Sequence, residues 1–175
     1  MEKTEKTKTL VYVGLFTALS VILTSFFSIS TPIFTIGFGT IPIVFSSIMF
    51  GPLIGGITGA LSDFIGAMLF PKGAFFFGFT ITGFLNGALY GLFLHNKPKS
   101  LKRITLCVIT STLVLYLGLN TYWISIITGK GFIALLPQRI IKEIVTIPVN
   151  AILIYELWKY VGNSIMVPSF KTTNK

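Results

Sequence analysis

Between Lys8 and Asp63 the chain carries no charged side chain, so the whole run from Thr9 to Ser62 is electrically neutral. The hydrocarbon core of a bilayer is about 30 Å thick, and roughly 20 apolar residues cross it as a helix rising about 1.5 Å per residue. The neutral run is too long for one crossing and suits two helices and part of a third, with breaks at Pro32, Gly37, Gly39, Gly51 and Pro52. The rest of the chain continues the pattern. Apolar residues make up 53% of it, mean hydropathy is +0.84, and 11% of residues are charged. A soluble domain has about 25% charged residues. The same figures exclude a disordered, coiled-coil, collagen-like or DNA-reading chain. With one cysteine, Cys107, and one histidine, His95, neither a disulfide framework nor a Cys/His zinc site can be built, and no metal or other cofactor is expected.

These features predict an all-α integral membrane protein. Hydropathy and breaks divide it into six transmembrane helices over about 9–28, 36–50, 53–70, 76–94, 104–127 and 134–161, the last opening near Pro137. The second and third are short for a full crossing. Residues 1–8 and 163–175 are left as tails. Lys and Arg are enriched in loops retained in the cytoplasm. Lys3, Lys6 and Lys8 at the start, Lys97, Lys99, Lys102 and Arg103 between helices four and five, and Lys159, Lys171 and Lys175 at the end fall on one side if the helix count is even. Both termini are therefore expected in the cytoplasm, with Lys72 and Lys130 outside. The net charge of +9 then reads as orientation and headgroup attraction, not as a nucleic-acid surface. The first apolar run is too long for a signal-peptide core and lacks an Ala-x-Ala end, so it is expected to remain as a span.

Three groups of residues stand out as candidate binding residues. Gln138, Arg139, Lys142 and Glu143 crowd the opening of the last helix at i,i+4 spacings, with Lys130 just before it. Cations at a helix start, beside unpaired N–H groups, make an anion-attracting mouth on the outer side. Ionisable groups at membrane depth cost at least ~2.5 kcal/mol and usually face protein or water. The alternative is an Arg139–Glu143 pair with Lys142 snorkelling to the interface. Asp63 lies midway along the third helix beside small residues at Gly55, Gly59, Ser62 and Gly66, a stripe that lets a neighbouring helix approach closely. Its carboxylate could meet a heterocycle, pair internally or relay a proton. Phe75, Phe76, Phe77 and Phe79, with Asn120, Tyr122 and Trp123, gather flat rings and an amide near the outer side, either as a pocket for a planar ligand or as an interfacial belt. Asn120 and Thr80 need polar partners in hydrocarbon. In the first helix, Gly14 and Ala18 form a small-xxx-small step suited to close helix packing.

The stretch Pro42-Ile-Val-Phe-Ser-Ser-Ile-Met-Phe-Gly-Pro-Leu-Ile-Gly-Gly-Ile-Thr-Gly-Ala-Leu-Ser-Asp63 resembles the second and third helices of the S components of energy-coupling factor (ECF) vitamin transporters. Leu69-Phe-Pro-Lys-Gly-Ala-Phe-Phe-Phe-Gly-Phe-Thr80, Gly118-Leu-Asn-Thr-Tyr-Trp123, Gly129-Lys-Gly-Phe132 and Leu136-Pro-Gln-Arg-Ile-Ile-Lys142 resemble the folate-specific members. Phe77 stands where that family usually has proline, and Gly14 where it usually has alanine. The resemblance implies a bacterial cell-membrane subunit that captures folate from outside. It would dock through Gly14 and Ala18 onto a transmembrane coupling subunit with two cytoplasmic ATPases, and topple to release its cargo. It would not be an enzyme, and no glycine-rich phosphate loop ending in Lys-Ser/Thr occurs in the chain. Folate has two glutamate carboxylates, an aromatic linker and a pterin with an amide-like edge. On this reading Arg139, Lys142 and Lys130 suit the carboxylates, with Arg as a bidentate fork and Gln138 beside it. Phe75, Phe76, Phe79 and Trp123 suit the rings, and Asn120, Thr80 or Asp63 the pterin edge. An S component for another vitamin, or a proton-coupled carrier acting alone through Asp63, are the alternatives. An intramembrane protease or metal-dependent transferase lacks its Ser/His pair or acid cluster.

Overall fold

The computed structural model describes residues 2–30, 35–71 and 75–162. Their order is α1 (Glu2–Ser25), β1 (Ser28–Ser30), β2 (Thr35–Gly37), α2 (Thr40–Phe50), α3 (Pro52–Leu69), α4 (Phe77–Leu94) and α5 (Leu101–Ser111). A π-helical segment (Thr112–Asn120), α6 (Thr121–Thr128), α7 (Phe132–Leu157) and a final π turn (Trp158–Gly162) complete it. Among the described residues, four helical runs are long and apolar enough to cross a membrane: Lys6–Ser25, Pro52–Leu69, Phe77–Leu94 and Leu101–Thr128. Large apolar side chains on them stay exposed, among them Leu53, Leu61, Leu92, Leu106 and Leu113, as suits a surface solvated by lipid.

Several boundaries differ from those expected. α1 begins at Glu2, inside the expected tail, because Glu and Lys are good helix formers and hydropathy marks where lipid starts, not where the helix does. The expected end of the first helix and start of the second fall in a short antiparallel ladder that pairs Ser28 with Gly37, Ile29 with Ile36 and Ser30 with Thr35. The expected break at Pro32, and Lys72 with Gly73, lie outside the described residues. α7 begins at Phe132, so Pro137 sits inside the helix and not in its first turn, and Pro148 lies further along. α4 begins at Phe77, a first-turn position where the proline usual in the family and the phenylalanine found here serve the backbone equally well.

α2, at 11 residues, is about 16 Å long and cannot cross alone. It is folded back on α3 by Gly51, whose φ of +89° is a conformation other residues adopt only with strain, and Pro52 then opens α3. The small stripe on α3 meets three neighbours: Gly55 faces Ser47 of α2, Gly66 lies nearest Val21 of α1, and Gly59 faces α4. A Cβ at Gly59 would collide with the Gly83 carbonyl, and one at Gly87 with the Gly55 carbonyl. Hydroxyls tie α2 to both helices: Ser46 Oγ and Thr58 Oγ1 of α3 are 2.7 Å apart, and Ser47 Oγ donates to Gly87 O of α4 at 2.8 Å. A core of Val44, Ile48, Tyr90, Leu94, Ile104, Cys107, Val108, Ala151 and Ile154 fills the end of the bundle near the α2–α3 turn. There His95 Nδ1 lies 2.8 Å from Ile48 O, and Lys99 Nζ sits 5.1 Å from the Trp158 ring. The other end is not filled.

Candidate functional site

The unfilled end is a cavity of about 730 Å³, within the range that holds a drug-sized ligand. Its mouth is formed where α3 ends, α4 begins and α6 ends, at Phe70, Pro71, Phe75, Phe76, Ile127 and Thr128. Its floor reaches Tyr90, Val108 and Asn150, against the apolar core. From Phe79 to Tyr90 the wall runs roughly 16 Å along α4, at 1.5 Å per residue.

The mouth is aromatic. Phe76 packs edge-on to Phe79 with centroids 6.2 Å apart and against Trp123 at 5.4 Å, and Phe64 meets Phe75 at 5.8 Å. Trp123 is held by its Nε1, which donates to Thr82 Oγ1 at 3.2 Å, and its ring backs Gly78. Trp123 therefore braces the aromatic wall from behind, whereas Phe75, Phe76 and Phe79 line the cavity. Tyr122, next to it, is exposed.

Deeper, the walls turn polar. Asp63 lines the cavity, and Thr80 Oγ1 donates to its Oδ2 at 2.9 Å. Thr80 thus reaches the site through Asp63. Ser111 Oγ donates to Asn86 Oδ1 at 2.6 Å, and Asn86 Nδ2 donates to Tyr116 Oη at 3.3 Å, orienting that phenol. From α7, Glu143 is 5% exposed and lines the cavity beside Lys142, whose Nζ lies 3.6 Å from its carboxylate. Two amide oxygens in these walls, Asn120 Oδ1 and Asn150 Oδ1, are buried without a hydrogen-bond partner. Buried polar atoms are almost always satisfied, so such atoms facing a cavity mark where a ligand or water completes the set.

The residues singled out from the sequence are thus divided. Asp63, Phe75, Phe76, Phe79, Asn120 and Lys142 share the cavity wall, with Thr80 and Trp123 directly behind. Gln138 and Lys130 are exposed and outside it. Arg139 also lies outside the lining: its Nη1 donates to Tyr116 O and to Thr121 Oγ1, each at 3.2 Å. The ion pair formed by Glu143 is with Lys142, one residue away. Asn86, Tyr116 and Asn150 were missed as wall residues, and Glu143, noticed as a partner for Arg139, lines the wall itself. The rule that drew attention to Asn120, an amide in an apolar helix, applies equally to Asn86 and Asn150. On α1, Gly14 is exposed, with nothing within 4 Å of where a Cβ would stand, and Ala18 is exposed below it. A second, more open depression of about 670 Å³ lies at the opposite end between Leu92 and Leu106, with Lys97, Lys102 and Arg103 at its edge. None of the candidate residues lines it.

A family model described as "ECF transporter, substrate-specific component" matches residues 8–157. The chain belongs to this family of ECF substrate-specific components. It is 45% identical over 157 residues to the folate transporter FolT of Clostridium novyi (strain NT), covering 90% of this chain and 91% of that one. It is 28% identical over 158 residues to the folate transporter FolT of Leuconostoc mesenteroides subsp. mesenteroides, covering 86% of this chain and 84% of that one. Among solved structures it resembles a crystal structure of FolT bound with folic acid, with a TM-score of 0.79 and 33% identity, over 90% of this chain and 94% of the other. An ECF substrate-specific component with this fold is a transport subunit, and the apolar helices and polar-floored cavity suit that role.

Proposed function

We propose that this ECF component captures folate from outside a bacterial cell and delivers it through an ATP-driven importer. The observation that carries the reading is the cavity with an aromatic mouth and unpartnered amide oxygens, in a chain 45% identical to a named folate transporter. The pterin enters first. Its ring N–H and amino donors meet Asn120 Oδ1, Asn150 Oδ1 and the Glu143 and Asp63 carboxylates, acceptors that an apolar ring could not satisfy. The benzoyl linker lies against Phe76 and Phe79, and the glutamate points to the mouth, where the exposed Lys130 beside the α6–α7 turn adds positive charge. Lys142, 3.6 Å from the Glu143 carboxylate, reaches the same ligand edge.

The membrane arrangement we propose has six crossings and both termini in the cytoplasm, with α2 and the ladder before it together as the second, the run Leu101–Thr128 as the fifth and α7 as the sixth. The basic residues of the first turns, the α4–α5 loop and the tail support it. α7 carries Arg139, Lys142 and Glu143 through the bilayer only because they face protein or the cavity. The exposed small step at Gly14 and Ala18 would seat a transmembrane coupling subunit bearing two ATPases. The chain itself catalyses nothing.

Titration of the purified protein with folate, followed by tryptophan fluorescence or calorimetry and compared with a vitamin panel, tests the assignment. Tight binding of folate alone supports it. Tight binding of a different vitamin replaces the substrate. Uptake into liposomes holding only this chain, driven by a proton gradient, replaces the mechanism.

A further inference from the structure

We propose that Arg139 is a positioning residue: its guanidinium pins the wide π turn through Tyr116 O and Thr121 Oγ1, and that turn sets where the Asn120 amide meets the ligand. The inference rests on the folate reading for its ligand and departs from the carboxylate fork that the sequence suggested. It begins from an oddity of backbone. A π-helical run from Thr112 to Asn120 is long for a form found mostly as single-turn bulges, and such bulges concentrate at functional sites. Tyr116 O, in its middle, accepts from Arg139 Nη1 and from Thr121 Oγ1, each at 3.2 Å. Arg139 Nη1 also bonds the Thr121 hydroxyl, closing a three-membered clasp across the end of the segment.

The clasp controls rotation. A π turn holds about one residue more than an α turn, so returning one turn to α register would swing everything beyond it by roughly 100° about the helix axis. Asn120 ends the segment, and Ile124 and Ile127 follow it on the cavity wall. A swing of that size would carry Asn120 Oδ1, buried and unpartnered, out of the cavity. Tyr116, whose phenol is oriented by Asn86, lies in the same segment and lines the same wall. Arg139 itself is half-buried and outside the lining. Its charge serves the backbone.

The test uses folate and pteroate, the same molecule without glutamate, with full-length protein carrying Arg139→Met or Arg139→Lys. A pin predicts that Arg139→Met weakens both ligands by the same factor, roughly tenfold or more. It also predicts that amide exchange across Thr112–Asn120 quickens, that Arg139→Lys largely restores both, and that Asn120→Ala added to Arg139→Met costs little more. A fork predicts loss of folate binding alone, with pteroate and exchange unchanged, and that result overturns the inference, as does unchanged binding of both. If the unsubstituted protein binds neither ligand, the folate reading falls, and unchanged exchange in Arg139→Met would then sink the pin on its own.

Discussion

Thr80 on α4 donates to Asp63 Oδ2 on α3 at 2.9 Å, joining the two helices at the side of the cavity where glycines bring them closest. Asp63 itself lines the cavity, whereas Thr80 does not. This makes Thr80 a support for Asp63, and the two substitutions should separate. Thr80→Val removes a bond to a carboxylate, worth about 1.5–3 kcal/mol, and should lower the unfolding temperature in detergent as well as folate affinity. Asp63→Asn keeps an acceptor for Thr80 and should leave thermal stability nearly intact while folate affinity falls about tenfold or more. Equal effects on stability from both would remove Asp63 from ligand contact.

The unpartnered amides should show opposite signs in stability and in binding. Asn150 Oδ1 is buried with nothing to accept from, so replacing Asn150 with Leu should be neutral or stabilising to the empty protein. The same change should weaken folate by about 1–3 kcal/mol, because a pterin donor loses its acceptor. Thermal unfolding with and without folate reads both at once. A lower unfolding temperature of the empty protein would show that Asn150 has a structural partner.

Close packing of α3 on α4 leaves no room at Gly87. The carbonyl of Gly55 occupies the space a Cβ would need, and both backbones would have to move. Gly87→Ala should destabilise by about 1–3 kcal/mol or more, whereas Gly14→Ala, facing open space, should not. Gel-filtration profiles and unfolding temperatures in one detergent compare them directly.

The outward face of α1 predicts a split between binding and transport. Gly14→Leu or Ala18→Leu adds bulk where nothing of this chain is displaced, so folate binding should be unchanged. ATP-dependent uptake with the coupling subunit and ATPases should be lost, because a small-residue contact no longer closes. Retained uptake, or retained copurification with the coupling subunit, would move the docking face elsewhere.

Much of the architecture was legible because hydropathy and charge act locally. The neutral run from Thr9, the Gly51-Pro52 turn and the small stripe on α3 are each read within a few residues, and each corresponds to a feature of the fold. The ladder of Ser28–Ser30 and Thr35–Gly37 was not legible, since three-residue strands leave too short a pattern to distinguish from helix ends. The π segment was invisible for a different reason. The side chain that clasps it, Arg139, lies 23 residues from Tyr116 in sequence.

The candidate site shows the same division. Asp63, the phenylalanines and Asn120 could be singled out because a polar or aromatic group in an apolar helix is conspicuous by itself. Arg139, Lys142, Gln138 and Lys130 were grouped because they are neighbours along the chain. In space one clasps a backbone, one lines a wall and two are exposed. Asn86 joined the wall from α4, and Glu143 and Asn150 both from α7.

By itself the amino-acid order determined that this chain must live in lipid, where it turns and which face of α3 lets a helix approach, since transfer energies and backbone freedom belong to individual residues. Only the tertiary structure decided which polar groups look into the cavity. That choice depends on the rotation of each helix about its axis, and the rotation is set by packing against partners distant in sequence.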